Sequence, residues 1–175
     1  MMNKINMLAI SGSLRENSSS GYVINAFETL LPENVVFKIY KGMALLPHFD
    51  GNEDPQETVI ALRKQIAEAD AVLICTPEYA FGVPGSLKSL LDWTVSSGDF
   101  VNKPVALITA STSGEKAHES LLNTLTALSA KTSSETNLLI SFIRSKLDGN
   151  GQIKDDKTLQ SIKELVGHFL NLLSD

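Results

Sequence analysis

The sequence predicts an open, doubly wound α/β domain in which helices cover both faces of a parallel, five-stranded sheet. Short apolar runs alternate with longer segments of helical periodicity, and this alternation occurs five times. Strands that are joined by helices run parallel, and right-handed crossovers place the helices on both faces. No internal repeat or linker interrupts the pattern, so we interpret residues 1–175 as a single domain.

The five strands are predicted from short apolar or β-branched runs. The third run, AVLICT, is continuously apolar, which is typical of a strand that is buried on both faces. The last run is weaker than the others. In chain order, the predicted strands cover residues 5–10, 35–40, 71–76, 105–110 and 136–143.

The five helices are predicted from apolar residues that recur at helical spacing. The first covers residues 21–31 and is expected to stop at Pro32. Residues 41–55, rich in Gly, Pro, Asn and Asp, are expected to form a long loop. The apolar faces of the second to fifth helices consist of Val59, Leu62, Ile66 and Ala69; Leu87, Leu90, Leu91 and Val95; Leu121, Leu122, Leu125 and Leu128; and Leu159, Ile162, Leu165, Val166, Phe169 and Leu172.

The composition limits the partners and the compartment that we expect. With 43% hydrophobic residues and a net charge of -5, the chain is typical of a packed globular protein, and its charge favours neither nucleic acid nor an anionic membrane. No window holds the roughly 18 apolar residues of a membrane span, and no signal peptide is recognised. The one cysteine, Cys75, can form no internal disulfide and lies in an apolar run. We therefore expect a core cysteine and a cytoplasmic protein.

A ligand site is expected at one edge of the sheet. In open α/β sheets, ligands bind beyond the carboxyl ends of the strands, at the switch point of the topology. Here those ends lead into loops that begin at Ser11, Pro77 and Ser111. The chemistry is therefore expected in these three loops.

The first of these loops, residues 11–21, is a candidate anion site because it joins a strand to a helix N-terminus. Free backbone N–H groups and the helix dipole favour a phosphate there. Gly12 allows close approach of the backbone, and Arg15 adds a cation. Five hydroxyls can donate, those of Ser11, Ser13, Ser18, Ser19 and Ser20. The alternative is a solvated loop in which one serine only caps the helix.

The loop at residues 77–85 is apolar and aromatic, and two prolines restrict its conformation. A flat ring would fit against Tyr79, Phe81 and Val83 while backbone amides address its polar edge. The alternative is a loop that only packs against the core or against a second subunit.

Other phosphate and metal chemistries find no support in the sequence. The Walker pattern and the three-glycine dinucleotide fingerprint are absent, and the first loop holds no cysteine nucleophile. His48, His118 and His168 show no metal-ligand spacing, so no metal is assigned. His118 lies near the start of the fourth helix, close to Ser111. It either contacts a ligand or occupies an ordinary surface position.

Two motifs carry a resemblance to a known family. The first is GSLRxxS, which ends at Ser18, and the second is PEYxxxVPGxLKxxxDW, which runs from Pro77 to Trp93. Both resemble the NAD(P)H-dependent FMN reductases, a group that includes soluble quinone, azo-dye and chromate reductases. The order of elements agrees with that family over nearly the whole chain. The resemblance implies a flavodoxin-like α/β fold with strand order 2-1-3-4-5.

The resemblance also implies a cofactor, FMN, and a co-substrate, NADPH or NADH. It assigns the FMN phosphate to the first motif and the isoalloxazine ring to the second. Ser111 lies in a turn that resembles, more loosely, the family's Gly/Ser-rich turn near the pyrimidine end of the flavin. The implied phosphate ligands are Ser11, Ser13, Arg15, Ser18 and Ser20, and the implied ring ligands are Pro77, Glu78 and Tyr79.

Two positions depart from the family pattern. The family often has Asn where Ser20 and Ala80 stand. A serine hydroxyl can still meet a phosphate oxygen, but the methyl group of Ala80 offers no hydrogen bond to a ring or a substrate. Substrate preference therefore does not transfer from the family.

The resulting hypothesis is an FMN-dependent NAD(P)H oxidoreductase that passes hydride through FMN to a flavin, quinone, azo or similar small acceptor. No catalytic acid or base is assigned, because the cofactor carries the chemistry. Related enzymes pair, so a homodimer or homotetramer is expected, with Trp93 either in the core or at that interface. Two alternatives stay open: a flavin-binding electron-transfer module without nicotinamide activity, and a binding or regulatory protein that kept the fold and lost the cofactor.

Overall fold

Five β-strands and five α-helices alternate along the chain in the computed structural model, which describes residues 4–52 and 54–173. Short 3-10 turns lie at Met43–Leu45, Ser134–Thr136 and Ile143–Lys146. The main elements are β1 (Ile5–Ser11), α1 (Ser19–Glu28), β2 (Val35–Ile39), α2 (Glu57–Glu68), β3 (Ala71–Thr76), α3 (Gly85–Asp92), β4 (Val105–Ala110), α4 (Glu115–Ala127), β5 (Asn137–Ile140) and α5 (Asp156–Leu172).

The strands form one parallel sheet in the order β2-β1-β3-β4-β5, which confirms the predicted fold class and strand order. β3 and β4 are buried along their whole length, because helices cover both of their faces. β1 pairs with β2 on one side and with β3 on the other, so the order of the strands reverses direction at β1. The carboxyl ends of β1, β3, β4 and β5 therefore meet at one edge of the sheet.

The sheet separates two apolar cores, and the residues of β3 alternate between them. Val72 and Ile74 face α2, α3 and α4 on one side, whereas Leu73 and Cys75 face α1 and α5 on the other. Most residues of the predicted apolar faces of the helices supply the opposing side chains of both cores, but Val95 and Leu159 are exposed. Within the described ranges, no helix combines the length and the apolar character that a membrane crossing needs.

Several predicted boundaries are wrong. α1 ends at Glu28, well before Pro32. The chain then continues in turns, one of which is closed by a hydrogen bond from Leu30 N to Phe27 O at 3.1 Å. β1 extends to Ser11, because Ser11 still pairs with Cys75 of β3. α3 ends at Asp92, because the chain after it turns and the Thr94 hydroxyl bonds to Leu91 O at 2.7 Å; Val95 is 62% exposed.

The fifth strand is shorter than the predicted 136–143. Thr136 belongs to the preceding 3-10 turn, and the strand ends at Ile140. Phe142 adopts a φ of 55°, which lies in the left-handed region and turns the chain out of the sheet. The 3-10 turn that follows brings the next segment back across the carboxyl edge.

Trp93, predicted either in the core or at an interface, and Cys75, predicted in the core, are both core residues. Trp93 is 2% exposed, and its Nε1 donates to Pro47 O at 2.9 Å, so the core alternative holds for this ring. Cys75 is fully buried, which confirms its prediction as a core residue. Burial raises the pKa of its thiol to about 12, and the nearby Ser20 hydroxyl offsets this only partly.

Gly12 lies at the closest approach between the ends of β1 and β3. Its N–H donates to Cys75 O at 2.8 Å. A Cβ at Gly12 would lie 2.1 Å from Thr76 Oγ1 and 2.6 Å from Thr76 Cβ. Because Thr76 is fully buried and β-branched, it cannot move out of the way. The two loops of the carboxyl edge therefore depend on a residue without a side chain at this point.

We predict that Gly12→Ala lowers the melting temperature by about 3–10 °C, because overpacking in a dense core costs about 1–3 kcal/mol. The matched control is Gly167→Ala, in the middle of α5, where an added Cβ meets nothing within 4 Å. That change is expected to raise stability by about 0.5–1 kcal/mol, as glycine is a poor helix former. Thermal unfolding followed by circular dichroism checks both signs. A Gly12→Ala protein that melts at or above the wild-type temperature would contradict the packing account.

Candidate functional site

Segments that follow β1, β3, β4 and β5 enclose a cavity of about 510 Å³ at the carboxyl edge of the sheet. This volume lies in the range of small-molecule and cofactor sites. The residues that line it are Ser13, Arg15, Asn17, Ser18, Ser19, Ser20, Tyr22, Pro77, Glu78, Tyr79, Ala110, Ser111, Thr112, Ile143, Arg144, Leu147, Asp148, Gly149 and Gly151.

One end of the cavity is the N-terminus of α1. Ser18 is the N-cap, with an extended backbone (φ -80°, ψ 152°), and its Oγ accepts from Gly21 N at 3.0 Å. The structure gives the N–H groups of Ser19 and Ser20 no acceptor among the described residues, as is usual in a first helical turn. These donors and the positive end of the helix dipole make an anion site.

Ser20 is only 1% exposed, although it lines the cavity. Its hydroxyl is buried beside Cys75 and makes no hydrogen bond of normal geometry with a described residue. A buried hydroxyl without a partner costs free energy, which a ligand oxygen would recover.

Two other serines of the first loop, Ser11 and Ser13, form hydrogen bonds with the backbone of that loop. Ser11 Oγ accepts from Ser13 N and donates to Ser13 O, both at 3.2 Å. Ser13 Oγ accepts from Arg15 N at 3.3 Å and lies 3.5 Å from the hydroxyl of Tyr79. The first loop is therefore folded onto itself and touches the loop after β3.

Two arginines, Arg15 and Arg144, stand on the cavity wall with exposed side chains. In the described part of the chain, neither forms an ion pair. The acidic residues of the wall are already engaged: Asp148 Oδ1 accepts from Asn150 N and Gln152 N at 2.8 Å each, and Glu78 is bonded as described below. The wall thus carries two carboxylates that are held by hydrogen-bond donors and two guanidinium groups without an ion-pair partner among the described residues.

The loop after β3 makes a tight turn at Tyr79–Gly82. Tyr79 N donates to Gly82 O at 3.0 Å, and Gly82 N donates to Tyr79 O at 2.9 Å. The two central residues, Ala80 and Phe81, have φ angles of 49° and 59°. Consecutive left-handed residues define a type I′ turn, in which Asn and Gly are preferred at the central positions.

This turn is strained because neither central residue is glycine or asparagine. A side chain in the left-handed region costs roughly 1–2 kcal/mol per residue. Phe81 is also 78% exposed, so its ring gains little from burial to offset that cost. Ala80 thus departs from the family in backbone preference as well as in hydrogen bonding. Local strain of this kind is concentrated at functional sites.

Glu78 connects the loop after β3 to the N-terminus of α4. This helix begins after Gly114, which has a φ of 100° and offers no side chain as a cap. The Glu78 carboxylate takes that place: Oε1 accepts from Ser113 Oγ at 2.9 Å and from Gly114 N at 3.2 Å, and Oε2 accepts from Ala117 N at 2.9 Å. Glu78 N donates to Ser111 Oγ at 3.2 Å. One residue therefore fixes two loops of the site.

The pKa of the Glu78 carboxyl lies below its ordinary value. Desolvation acts to raise this pKa, but hydrogen bonds from Ala117, Ser113, Gly114 and Lys116 stabilise the carboxylate and together outweigh desolvation. A carboxyl with a lowered folded-state pKa contributes stability above its unfolded-state pKa. That contribution is lost as the pH falls through the folded-state pKa.

His118 lies in α4 next to the end of β4 and is not on the cavity wall. Its Nδ1 is 2.9 Å from Thr109 Oγ1 at the end of β4. Burial lowers the pKa of its imidazole. In the described residues, no group of three His, Cys, Asp or Glu side chains is placed to hold a metal ion.

Most of the candidate ligand-binding residues that were predicted from the sequence line the cavity. The exceptions are Ser11, Ala80, Phe81 and Val83, which do not line it; Val83 packs against the core instead. The predicted residues on its wall are Ser13, Arg15, Ser18, Ser19, Ser20, Pro77, Glu78, Tyr79 and Ser111.

The sequence interpretation missed the segment after β5. Arg144, Leu147 and Asp148 lie on the wall, although the sequence assigned none of them a role. Ile143 N donates to Ser111 O at 3.1 Å, which holds this segment against the loop after β4. The signal was present in the topology, because a fifth parallel strand also ends at the carboxyl edge.

A family model described as NADPH-dependent FMN reductase matches residues 5–144 of this chain. The chain belongs to this family. Among its relatives is a quinone reductase from Escherichia coli K12, which is 31% identical over 172 residues that cover 93% of this chain and 92% of the relative. An NAD(P)H-dependent FMN reductase from Pseudomonas aeruginosa is 30% identical over 174 residues, which cover 94% and 92% of the two chains.

A solved structure confirms the fold of this FMN reductase family member. FerB, a flavoenzyme NAD(P)H:(acceptor) oxidoreductase from Paracoccus denitrificans, superimposes with a TM-score of 0.79 over 97% of both chains at 24% identity. Family membership establishes the chain as an oxidoreductase that uses FMN and NAD(P)H.

We predict that Glu78→Gln lowers the melting temperature at neutral pH by about 2–6 °C, because a neutral amide loses charge-assisted bonds worth ~1–2 kcal/mol. The difference from wild type should shrink as the pH falls through the folded-state pKa of Glu78, since the wild-type carboxylate then becomes protonated. Melting curves between neutral and acidic pH measure this. The control is Glu115→Gln, an exposed acid in the same helical turn. An unchanging gap across the pH range would remove the Glu78 carboxylate from this role.

Proposed function

We propose that the cavity at the carboxyl edge binds FMN, with the phosphate at the first loop and the ring between the loops that follow β3 and β4. The first-loop residues that form the phosphate site, directly or by holding the loop, are Ser11, Ser13, Arg15, Ser18, Ser19 and Ser20. The residues that form the ring site, by contact or by shaping its loops, are Pro77, Glu78, Tyr79, Ala80, Phe81 and Ser111. One observation carries the proposal: unpaired donors and a free cation lie at the α1 end of the cavity.

The residues of the α1 end fit a phosphate better than any other group. Among the described residues, the N–H groups of Ser19 and Ser20 have no acceptor, the Ser20 hydroxyl makes no hydrogen bond of normal geometry, and Arg15 has no counterion. A phosphate oxygen would satisfy each of these groups. Ser11 acts indirectly, because its hydroxyl fixes the backbone of Ser13.

The ring end fits a flat heterocycle held by rigid backbone. Pro77 and Tyr79 supply apolar surface, and Ser111 fixes the backbone of Glu78. The Glu78 carboxylate is committed to α4, so it serves the ring by placing the loop and not by moving a proton. Ala80 and Phe81 act through the shape of the turn. When bound, FMN supplies the hydride chemistry, and these residues supply orientation.

A quinone or another flat aromatic molecule is the proposed acceptor. The curated relative from Escherichia coli is named a quinone reductase, which favours this class. The half-exposed ring of Tyr79 borders the mouth of the cavity, and exposed Phe81 follows it in the same turn. Flat apolar molecules suit such a border. The nicotinamide and the acceptor would share this one mouth and occupy it in turn.

We predict that Arg15→Ala weakens FMN binding by roughly five- to thirtyfold, with an unchanged melting temperature of the FMN-free protein. Arg15 is exposed and unpaired, so its loss leaves the fold intact, whereas a charge-assisted contact with the phosphate is lost. Titration of FMN, followed by flavin fluorescence, measures the effect.

Riboflavin provides the control for this prediction, because it has no phosphate. Wild-type protein should bind riboflavin more than tenfold more weakly than FMN, and Arg15→Ala should leave the riboflavin affinity unchanged. Equal losses for both ligands would place Arg15 away from the phosphate. Equal wild-type affinities for both ligands would contradict the phosphate site itself.

Anaerobic mixing of FMN-loaded protein with NADH or NADPH tests the activity. At least one nucleotide should bleach the flavin absorbance before an acceptor is present, and a later addition of benzoquinone should restore it. Parallel lines in steady-state plots of NAD(P)H against quinone should accompany this, as one shared mouth requires. Absence of bleaching at millimolar nucleotide would favour the electron-transfer alternative, and a colourless protein that binds no FMN would favour a non-enzymatic one.

We also propose a cytoplasmic homodimer or homotetramer that acts on small molecules. Exposed apolar side chains at the carboxyl edge, namely Leu14, Phe81 and Phe142, favour contact with a second copy. The single, buried and unpaired Cys75 is in keeping with a reducing compartment. Light scattering should give the mass of two or four chains. A monomer at micromolar concentration would contradict the oligomer, and fractionation of cells tests the compartment.

A further inference from the structure

A second cavity, of about 680 Å³, lies on the opposite side of the first loop. We call it the β2 groove, because it opens between the first loop and the segment that leaves β2. Ser13, Arg15 and Ser18 line both the β2 groove and the proposed FMN cavity, so the two are separated only by that loop. The far side of the groove is formed by Ile39, Tyr40 and Lys41.

Tyr40 is the unusual residue of the β2 groove. It is only 7% exposed, yet no described residue forms a hydrogen bond with its hydroxyl. The ring lies against Gly42, where a Cβ would be 2.6 Å from the hydroxyl, so glycine leaves space for it. Burial raises the pKa of this phenol, which therefore keeps its proton as a donor. The hydroxyl itself keeps some contact with solvent at the groove wall, so it is a donor that an acceptor in the groove can engage.

Lys41 adds a cation to the same groove. It is exposed and forms no ion pair in the described chain. Glu16 also lines the groove, but Arg15 and Lys41 together leave the wall with a net positive charge. Exposed Leu14 and half-exposed Ile39 supply apolar surface beside these cations. Apolar surface for a flat base, next to donors for a phosphate, is the chemistry of a nucleotide site.

We propose that the β2 groove binds the adenosine 2′-phosphate half of NADPH, with Lys41 on the phosphate and Tyr40 as a hydrogen-bond donor. The inference rests on the proposed FMN site, because the nicotinamide half must reach that cavity. In the sheet, β2 lies two strands from β3, so their carboxyl ends are roughly 10 Å apart. The pyrophosphate bridge of a dinucleotide can span such a separation across the first loop.

The probe for this site is adenosine 2′,5′-bisphosphate, which has the phosphate but no nicotinamide. FMN-loaded wild-type protein should bind it in calorimetry, and it should compete with NADPH. Lys41→Ala should weaken its binding roughly fivefold or more and leave binding of adenosine 5′-monophosphate nearly unchanged. Tyr40→Phe should weaken both nucleotides about threefold.

Lys38→Ala is the matched control. Lys38 is exposed on the same edge strand but lines a different cavity. Its replacement should change neither nucleotide affinity. All variants are compared at equal FMN saturation and by melting curves, so that loss of fold or of cofactor is detected.

Two results would overturn the inference. One is bisphosphate binding that is equal in wild type and Lys41→Ala. The other is no bisphosphate binding by a protein whose flavin NADPH still reduces. In that second case the proposed function stands and only the β2 groove is wrong, whereas a flavin that neither nucleotide reduces would contradict the proposed function itself.

Discussion

The end of β1 packs against the end of β3 through Gly12 and Thr76, and the site depends on this contact. The N–H of Gly12 bonds to Cys75 O, and no side-chain atom fits between the two strands. Because the strands are parallel and adjacent, their carboxyl ends open at the same edge. The first loop and the loop after β3 therefore face each other, and the Ser13 and Tyr79 hydroxyls come within 3.5 Å.

The same edge is rigid because its loops are bonded to one another. Glu78 caps α4 and bonds to Ser111. Phe142 N donates to Thr112 O at 3.0 Å, which holds the chain after β5 against the loop after β4. A site whose backbone is held before the ligand arrives loses less entropy on binding. The strained turn at Ala80 and Phe81 is part of this arrangement, since its neighbours are fixed on both sides.

The repeated alternation of apolar runs and helical segments was sufficient to predict the sheet and its two layers of helices. The AVLICT run predicted the fully buried β3, and the serine-rich segment predicted the free donors at α1. Sequence could not reveal that Glu78 caps a helix more than thirty residues later, because this contact exists only after the sheet has formed. Likewise, nothing local marked the left-handed φ of Phe142 that ends β5 and sends Arg144 to the cavity.

The strained turn and the β2 groove were also beyond sequence reasoning, for physical reasons. Ala80 and Phe81 have no intrinsic preference for left-handed backbone, so their conformation is imposed by tertiary contacts. Tyr40 follows an alternating strand pattern, and its unsatisfied hydroxyl becomes visible only when its neighbours are in place. Patterns of residue type predict which face is buried, but not which buried polar atom lacks a partner.

The central claim is that loops from four parallel strands enclose one FMN site, and amide hydrogen exchange of the protein with and without FMN tests it most directly. The account predicts that FMN slows exchange together in residues 12–21, 77–82, 111–114 and 143–151, while α2 and the 41–56 segment exchange as before. Protection confined to the 41–56 segment, or absent from both the first loop and the loop after β3, would contradict it.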